Sequence, residues 1–219
     1  MTSPPSRPEL VEGTALRLVL ASASPARLTT LRHAGLEPEV VVSGVDESAV
    51  TADSVAALAG RLAQLKAEAV AAAVTNDGSP VLVVGCDSIL ELDGKAYGKP
   101  GTPELAVERW RRMRGSSGVL HTGHHVVLAD GDGQRTRNAV AATTVHFVDV
   151  TDAEIEAYVA SGEPLQVAGA FTVDGLGGPF VRAIEGDFHN VVGISLPLLR
   201  ELLLDLGVTW PSLWRARRP

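Results

Sequence analysis

The chain has 219 residues and a formal net charge of -7, with 45% hydrophobic and 21% charged residues, the balance of a globular fold in water. The acidic excess argues against a nucleic-acid backbone as partner. No apolar run approaches the roughly 20 residues of a membrane helix, and the Pro- and Ser-rich first 13 residues lack the apolar stretch of a secretory signal. The single cysteine, Cys86, excludes an internal disulfide and suits a reducing, cytoplasmic compartment.

Residues 1–14 read as a flexible tail. The short apolar run 16–21 is bounded by polar residues, as in a buried strand. Ser24 then offers an N-cap oxygen and Pro25 suits the first helical position. Leu28, Leu31 and Ala34 follow at helical spacing, with Gly35 as the stop. Strand, hydroxyl-rich turn and helix N-terminus bring free amide hydrogens and a positive dipole end to one point, which suits phosphates. Arg27, in the first turn, adds a forked donor. Taken alone, these residues fit a plain capped helix equally well.

A β-branched run at 39–43 predicts a second strand, followed by Gly44-Val45-Asp46-Glu47-Ser48. An Ala-rich helix is expected over 54–74, with Val55, Leu58, Leu62, Leu65 and Ala69 on one stripe and Lys66 at its edge. Residues 81–84 predict a strand ending in Gly85-Cys86-Asp87-Ser88. Residues 89–92 then form a hairpin through Asp93-Gly94 to Tyr97-Gly98-Lys99-Pro100. Thr102-Pro103 opens a helix to Arg114, stopped by Gly115. Strands are expected at about 124–129 and 135–148, and a Thr151/Glu154 capping box starts a helix over 152–160. Residues 168–173 and 179–184 read as strands around Gly175-Leu176-Gly177-Gly178. Ser195 caps a last helix to Leu206, and 210–219 reads as a basic tail. Alternating strands and helices early, then hairpins, predict a mixed α/β sheet in one domain, 15–208, between tails 1–14 and 209–219.

The charged residues at expected element ends are the informative pattern. Asp46, Glu47 and Asp87, with Arg27, Lys66 and Lys99, make three carboxylates and three cations able to converge on one cleft. Carboxylates hold Mg²⁺ or Mn²⁺ and cations clamp phosphates, so a nucleoside triphosphate with its metal needs both signs. Other features carry less. His121, His124 and His125 begin a strand, where His124 and His125 point to opposite faces, against a zinc site. Cys86 has no evident histidine partner and reads as a buried thiol. Ser195 lacks the final glycine of a hydrolase elbow and reads as a cap. Gly175-Leu176-Gly177-Gly178 departs from the dinucleotide pattern and reads as a bulge or a close approach to a ligand. Arg215, Arg217 and Arg218 read as a solvated tail.

An ordered set of motifs resembles the Maf family. They are Ala21-Ser22-Ala23-Ser24-Pro25-Ala26-Arg27, Val45-Asp46-Glu47, Lys66-Ala67, Gly85-Cys86-Asp87-Ser88 and Gly98-Lys99-Pro100. Leu120-His121-Thr122-Gly123, Ala168-Gly169-Ala170-Phe171, Gly175-Leu176-Gly177-Gly178 and Asn190-Val191-Val192-Gly193 complete a match over about residues 16–207. The resemblance implies an inosine-triphosphatase-like fold, an elongated mixed sheet flanked by helices in two lobes with a cleft between them. It implies a divalent-metal nucleoside triphosphate pyrophosphatase cutting between the α and β phosphates, non-canonical or modified nucleotides among its substrates. A homodimer, and a role in removing unwanted nucleotides or restraining septum formation, are also implied. By the same resemblance Asp87 accepts the proton of the attacking water and holds the metal with Glu47 and Asp46, while Ser22, Ser24, Arg27, Lys66 and Lys99 bind phosphates. Ala26, Ser88 and Asp174 depart from the family's commonest residues at positions linked to base preference, which weakens the case for either a pyrimidine or a 7-methyl-GTP preference. The rival readings are a nucleotide-binding regulator of division with little or no catalysis, and a phosphatase removing one terminal phosphate.

Overall fold

The computed structural model describes residues 16–74 and 79–214, so the expected tail at 1–14 and the three terminal arginines lie outside the described residues. In chain order the strands are β1 (Arg17–Ala21), β2 (Glu39–Val40), β3 (Val81–Leu92), β4 (Lys95–Tyr97), β5 (Ser117–Asp130), β6 (Gly133–Phe147) and β7 (Val181–Glu185). The helices are α1 (Pro25–His33), α2 (Val55–Ala73), α3 (Pro103–Met113), α4 (Asp152–Ala160), α5 (Phe188–Val192) and α6 (Leu196–Asp205).

All seven strands form one mixed sheet in the order β2-β1-β3-β5-β6-β7, with β4 also on β3. The β1 strand is parallel to β2 and β3, and every later pairing is antiparallel. The split edge of β3 is decisive for the site. β1 pairs with Val81–Gly85 and β4 with Leu90–Leu92. Cys86 to Ile89 therefore lie in the gap where the two neighbours diverge.

The pleat then sorts the side chains. Leu82, Val84 and Cys86 of β3, with Val126 and Leu128 of β5, pack under α1 and α6, while Val81, Val83 and Val127 face Ala67 and Val70 of α2. Farther along, Leu90, Leu92, Leu120, Val145 and Phe147 join Trp110, Tyr158 and Phe171 in a separate aromatic core. Trp110 is fully buried, meets Phe147 and Tyr158 edge-on, and donates its indole N–H to the Ala170 carbonyl at 2.7 Å. The long strands thus carry two cores, with Asp87 and Ser88 at their junction.

The helix starts at Ser24, Thr102, Thr151 and Ser195 match the sequence reading because each cap closes within three residues, its side chain accepting from a first-turn amide, and Ser54 caps α2 in the same way. Several expectations need correction. Residues 81–92 form one continuous strand, so Asp87 lies mid-strand and not at a strand end. The expected strand at 39–43 is only Glu39–Val40, since this edge has β1 as its sole partner. Residues 168–173 are not a strand: Gly169 (φ 72°) and Ala170 (φ 64°) are left-handed, which breaks an extended backbone. The short α5 was not anticipated. Finally, Trp210–Leu213, the start of the expected basic tail, forms a 3₁₀ turn, with Trp210 and Leu213 against the α1/α6 core and the Trp214 indole donating to Ala34 O at 3.1 Å.

Candidate active site

Two polar clusters occupy the gap in β3, one on each face. On the α2 face, Lys66 Nζ lies 2.5 Å from Asp87 Oδ1 and 2.8 Å from Glu47 Oε1. Two glycines bring α2 to this point. A Cβ on Gly85 would meet Ala63 O at 2.5 Å, and one on Gly123 would meet Ala59 O at 2.2 Å, so the helix backbone lies directly on the sheet. That contact seats Lys66, whose side chain is only 13% exposed, over Asp87, two residues beyond Gly85 on the same face. Lys66 is therefore not a lysine snorkelling to solvent.

On the opposite face Arg27, 8% exposed, spreads its guanidinium over three acceptors. Nε donates to Gly193 O (2.7 Å), Nη1 to Ser22 Oγ (3.0 Å) and Nη2 to Ser88 Oγ (2.9 Å). All three are neutral, and Arg27 has no carboxylate partner among the described residues. Ser88 and Thr122 hydroxyls lie 2.9 Å apart, and Thr122 donates to Asn190 O (3.2 Å). Because Ser88 accepts from Arg27 and Thr122 donates onward, the Ser88 hydroxyl donates to Thr122. Ser22 also accepts from Ser24 N (3.2 Å), and Ser24 caps α1 through Arg27 N (3.4 Å).

The other expected site residues are dispersed. Asp46 Oδ1 accepts from Ser48 N (3.0 Å) and Ser48 Oγ (2.7 Å), bonds that hold its carboxyl below the usual range, so this carboxylate closes a turn and leaves Glu47 to face Lys66. Lys99 is exposed on the loop after β4, beside Gly98, whose carbonyl accepts from Arg109 and from Gly169 N. Ala26 and Asp174 line an open cleft of about 570 Å³ whose walls also include Thr30, His33, Phe188 and Val192. Ser88 reaches the site through Arg27 instead.

The weaker features resolve into structural roles. Cys86 is fully buried, and burial pushes its thiol up to about 12, an inert state. Ser195 caps α6. His124 is enclosed: its Nε2 accepts from Ser195 N (2.9 Å), so Nδ1 carries the proton toward Thr122 O (3.0 Å). Burial lowers its pKa to about 4, which keeps it neutral. Gly175-Leu176-Gly177-Gly178, expected to form a bulge or a close approach to a ligand, is instead approached by a side chain of the protein, the Glu163 carboxylate, which accepts from Leu176 N (2.9 Å) and Gly177 N (3.0 Å). Glu163 carries no signal in the sequence, and Asn190 stands in a motif without an assigned role. The buried Asn190 amide donates to Leu120 O (3.1 Å) and Thr143 Oγ1 (3.0 Å) and anchors α5 to the sheet.

Carboxylates and a lysine on one face of a strand, with a buried guanidinium at a helix N-terminus on the other, have the chemistry a polyanion and its counter-cation require. The sequence matches the family described as Maf-like protein over residues 17–206. The chain belongs to the Maf-like protein family. It is 58% identical over 200 residues to a Salinispora tropica protein named nucleoside triphosphate pyrophosphatase, covering 91% of this chain and 88% of that one. A Streptomyces coelicolor protein of the same name is 59% identical over 198 residues, 90% of this chain and 94% of its own length. Among solved structures, the Staphylococcus aureus Ham1 protein is similar over 90% of this chain and 93% of that chain, at a TM-score of 0.42 and 14% identity. Among the described residues, no helix of this Maf-like protein is long and apolar enough to cross a membrane.

Proposed function

We propose that this Maf-like protein is a nucleoside triphosphate pyrophosphatase that cuts the α–β phosphoanhydride and releases a nucleoside monophosphate and pyrophosphate. The observation that carries the reading is Arg27. A buried guanidinium with neutral acceptors only is an uncompensated charge, and its cost falls when an anion arrives. Three of its five N–H groups are engaged, which leaves two for phosphate oxygens. The first-turn amides of α1 and the Ser24 hydroxyl lie beside it.

Asp87 is the proton acceptor for the attacking water in this reading. Lys66, bound to Asp87 and Glu47 at once, holds both carboxylates in place and supplies positive charge near the phosphates. Lys99, exposed on the loop after β4, closes on the distal phosphates.

The donor set fits a divalent cation that is shared with substrate. Glu47 and Asp87 present hard oxygen ligands on one ammonium group, and Mg²⁺ is commonly held by one or two carboxylates plus phosphate oxygens. Among the described residues no cluster of three or more metal-binding side chains occurs. Bound there, the cation would offset the charge of the triphosphate and polarise the α phosphorus. Asp46, committed to Ser48, acts by positioning Glu47. The reading includes a homodimer in the cytoplasm, in keeping with one buried, unreactive cysteine.

Product analysis with canonical, methylated and deaminated nucleoside triphosphates under Mg²⁺ and Mn²⁺ tests the proposal. Pyrophosphate with a monophosphate is expected from at least one. Orthophosphate as first product would point to a terminal phosphatase, and binding without turnover would point to a division regulator.

A further inference from the structure

The loop carrying Asp174 is tied down by a single carboxylate outside the catalytic clusters. Glu163 Oε1 accepts from Tyr158 OH (3.0 Å), Thr172 Oγ1 (2.5 Å) and Gly177 N (3.0 Å), and Oε2 from Leu176 N (2.9 Å). Tyr158 OH in turn accepts from Thr172 N (3.2 Å). The loop backbone packs directly on these groups: a Cβ on Gly175 would meet Glu163 Oε2 at 2.6 Å, and one on Gly177 would meet Tyr158 OH at 2.5 Å. Burial by itself would raise the Glu163 carboxyl, but the Thr172, Leu176, Gly177 and Tyr158 donors together outweigh it and hold the group ionised. Four charge-assisted bonds on one anion make a stiff knot from Thr172 to Gly177. Asp174 is inside that span, exposed, without a hydrogen-bond or ion-pair partner among the described residues, and on the wall of the 570 Å³ cleft that Ala26 also lines.

We infer that Glu163 is a positioning residue for nucleotide selection: its carboxylate fixes the loop that presents Asp174 to the cleft, and through Asp174 it sets which base is preferred. This rests on reading the cleft as the nucleotide site. Asp174 is an acceptor-only group, so its value in discriminating base edges depends on its being held in one place. Glu163 touches neither cleft nor catalytic carboxylates, so its removal acts on selection more than on the chemical step.

The test compares kcat and KM for a nucleotide panel in wild type, Glu163→Gln, Asp174→Ala and the double variant, with melting curves to establish folding. Gln keeps the shape of Glu163 but sets an NH₂ group against donor N–H groups. Glu163→Gln is expected to compress the spread of kcat/KM between best and worst nucleotides about tenfold, with KM moving more than kcat. In the Asp174→Ala background, it is expected to leave the ranking where Asp174→Ala alone puts it. Thr172→Val, which removes one of the four donors, gives the same change in smaller measure and serves if Glu163→Gln does not fold. A folded Glu163→Gln enzyme with the wild-type ranking, or one losing kcat equally on every nucleotide, overturns the inference while leaving the pyrophosphatase reading intact. Wild-type protein that turns over no nucleotide overturns both.

Discussion

Asp87 and Ser88 are consecutive residues of β3 that face opposite sides of the sheet, the first bound to Lys66 at 2.5 Å and the second to Arg27 at 2.9 Å. One dipeptide thereby joins a carboxylate–lysine cluster under α2 to a guanidinium cluster under α1. The arrangement works because neither β1 nor β4 covers that part of β3.

Removing the Asp87 carboxylate separates chemistry from folding. Asp87→Asn is expected to lower the rate of pyrophosphate release by about 10²–10⁴-fold, the usual contribution of a placed general base. Lys66 keeps Glu47 at 2.8 Å, so the thermal midpoint is expected to change little. Pyrophosphate release at saturating nucleotide is the assay, and a wild-type rate would remove Asp87 from the role.

Arg27→Lys keeps the charge and loses the fork. A lysine ammonium cannot reach Gly193 O, Ser22 Oγ and Ser88 Oγ together, so buried acceptors lose their donor. The expected loss is roughly 1–3 kcal/mol of stability, with weaker nucleotide binding. Urea denaturation and calorimetric titration report the two effects, and a variant as stable as wild type would contradict the hydrogen-bond assignment.

His124 makes stability depend on pH. Its folded pKa, about 4, lies below the ordinary value of 6.5, with burial as the leading cause. Between these values the unfolded chain binds more protons, so stability is complete above pH 6.5 and is lost as pH falls toward 4. The loss is on the order of 2 kcal/mol by pH 5. Urea denaturation at pH 7 and pH 5 measures it. If His124→Gln retains the full wild-type slope over this range, another group is responsible.

The close seat of α2 is a further point of failure. Gly85→Ala places a Cβ 2.5 Å from Ala63 O and 2.8 Å from Ala67 N, backbone atoms of α2 that cannot yield locally. A cost of roughly 1–3 kcal/mol is expected, together with reduced turnover as Lys66 lifts from Asp87. Denaturant midpoint and kcat should fall together, and loss of stability without loss of rate would break the link between the glycine and the lysine.

The local features of this protein are legible in its sequence because they close over a few residues. The helix starts at Ser24, Thr102, Thr151 and Ser195, the Thr151/Glu154 capping box and the Asp93-Gly94 turn each depend on partners no more than three positions away. The charged residues of the site were legible as residue types, and so was the opposition of His124 and His125, since a strand alternates by geometry. Their company was not. Lys66 meets Asp87 across 21 residues, Arg27 meets Ser88 across 61 and Gly193 across 166. Asp87 looked like a strand end because Gly85 interrupts an apolar run, yet Gly85 is where a helix backbone touches the sheet and the strand continues through it. Glu163 carried no signal at all, because its four donors come from Tyr158 on α4 and from the Thr172–Gly177 loop, which only the folded chain brings together. Caps, turns and residue chemistry follow from short-range hydrogen bonding, whereas the division of the site across two faces of β3 follows from which strands end where, and only the assembled sheet decides that.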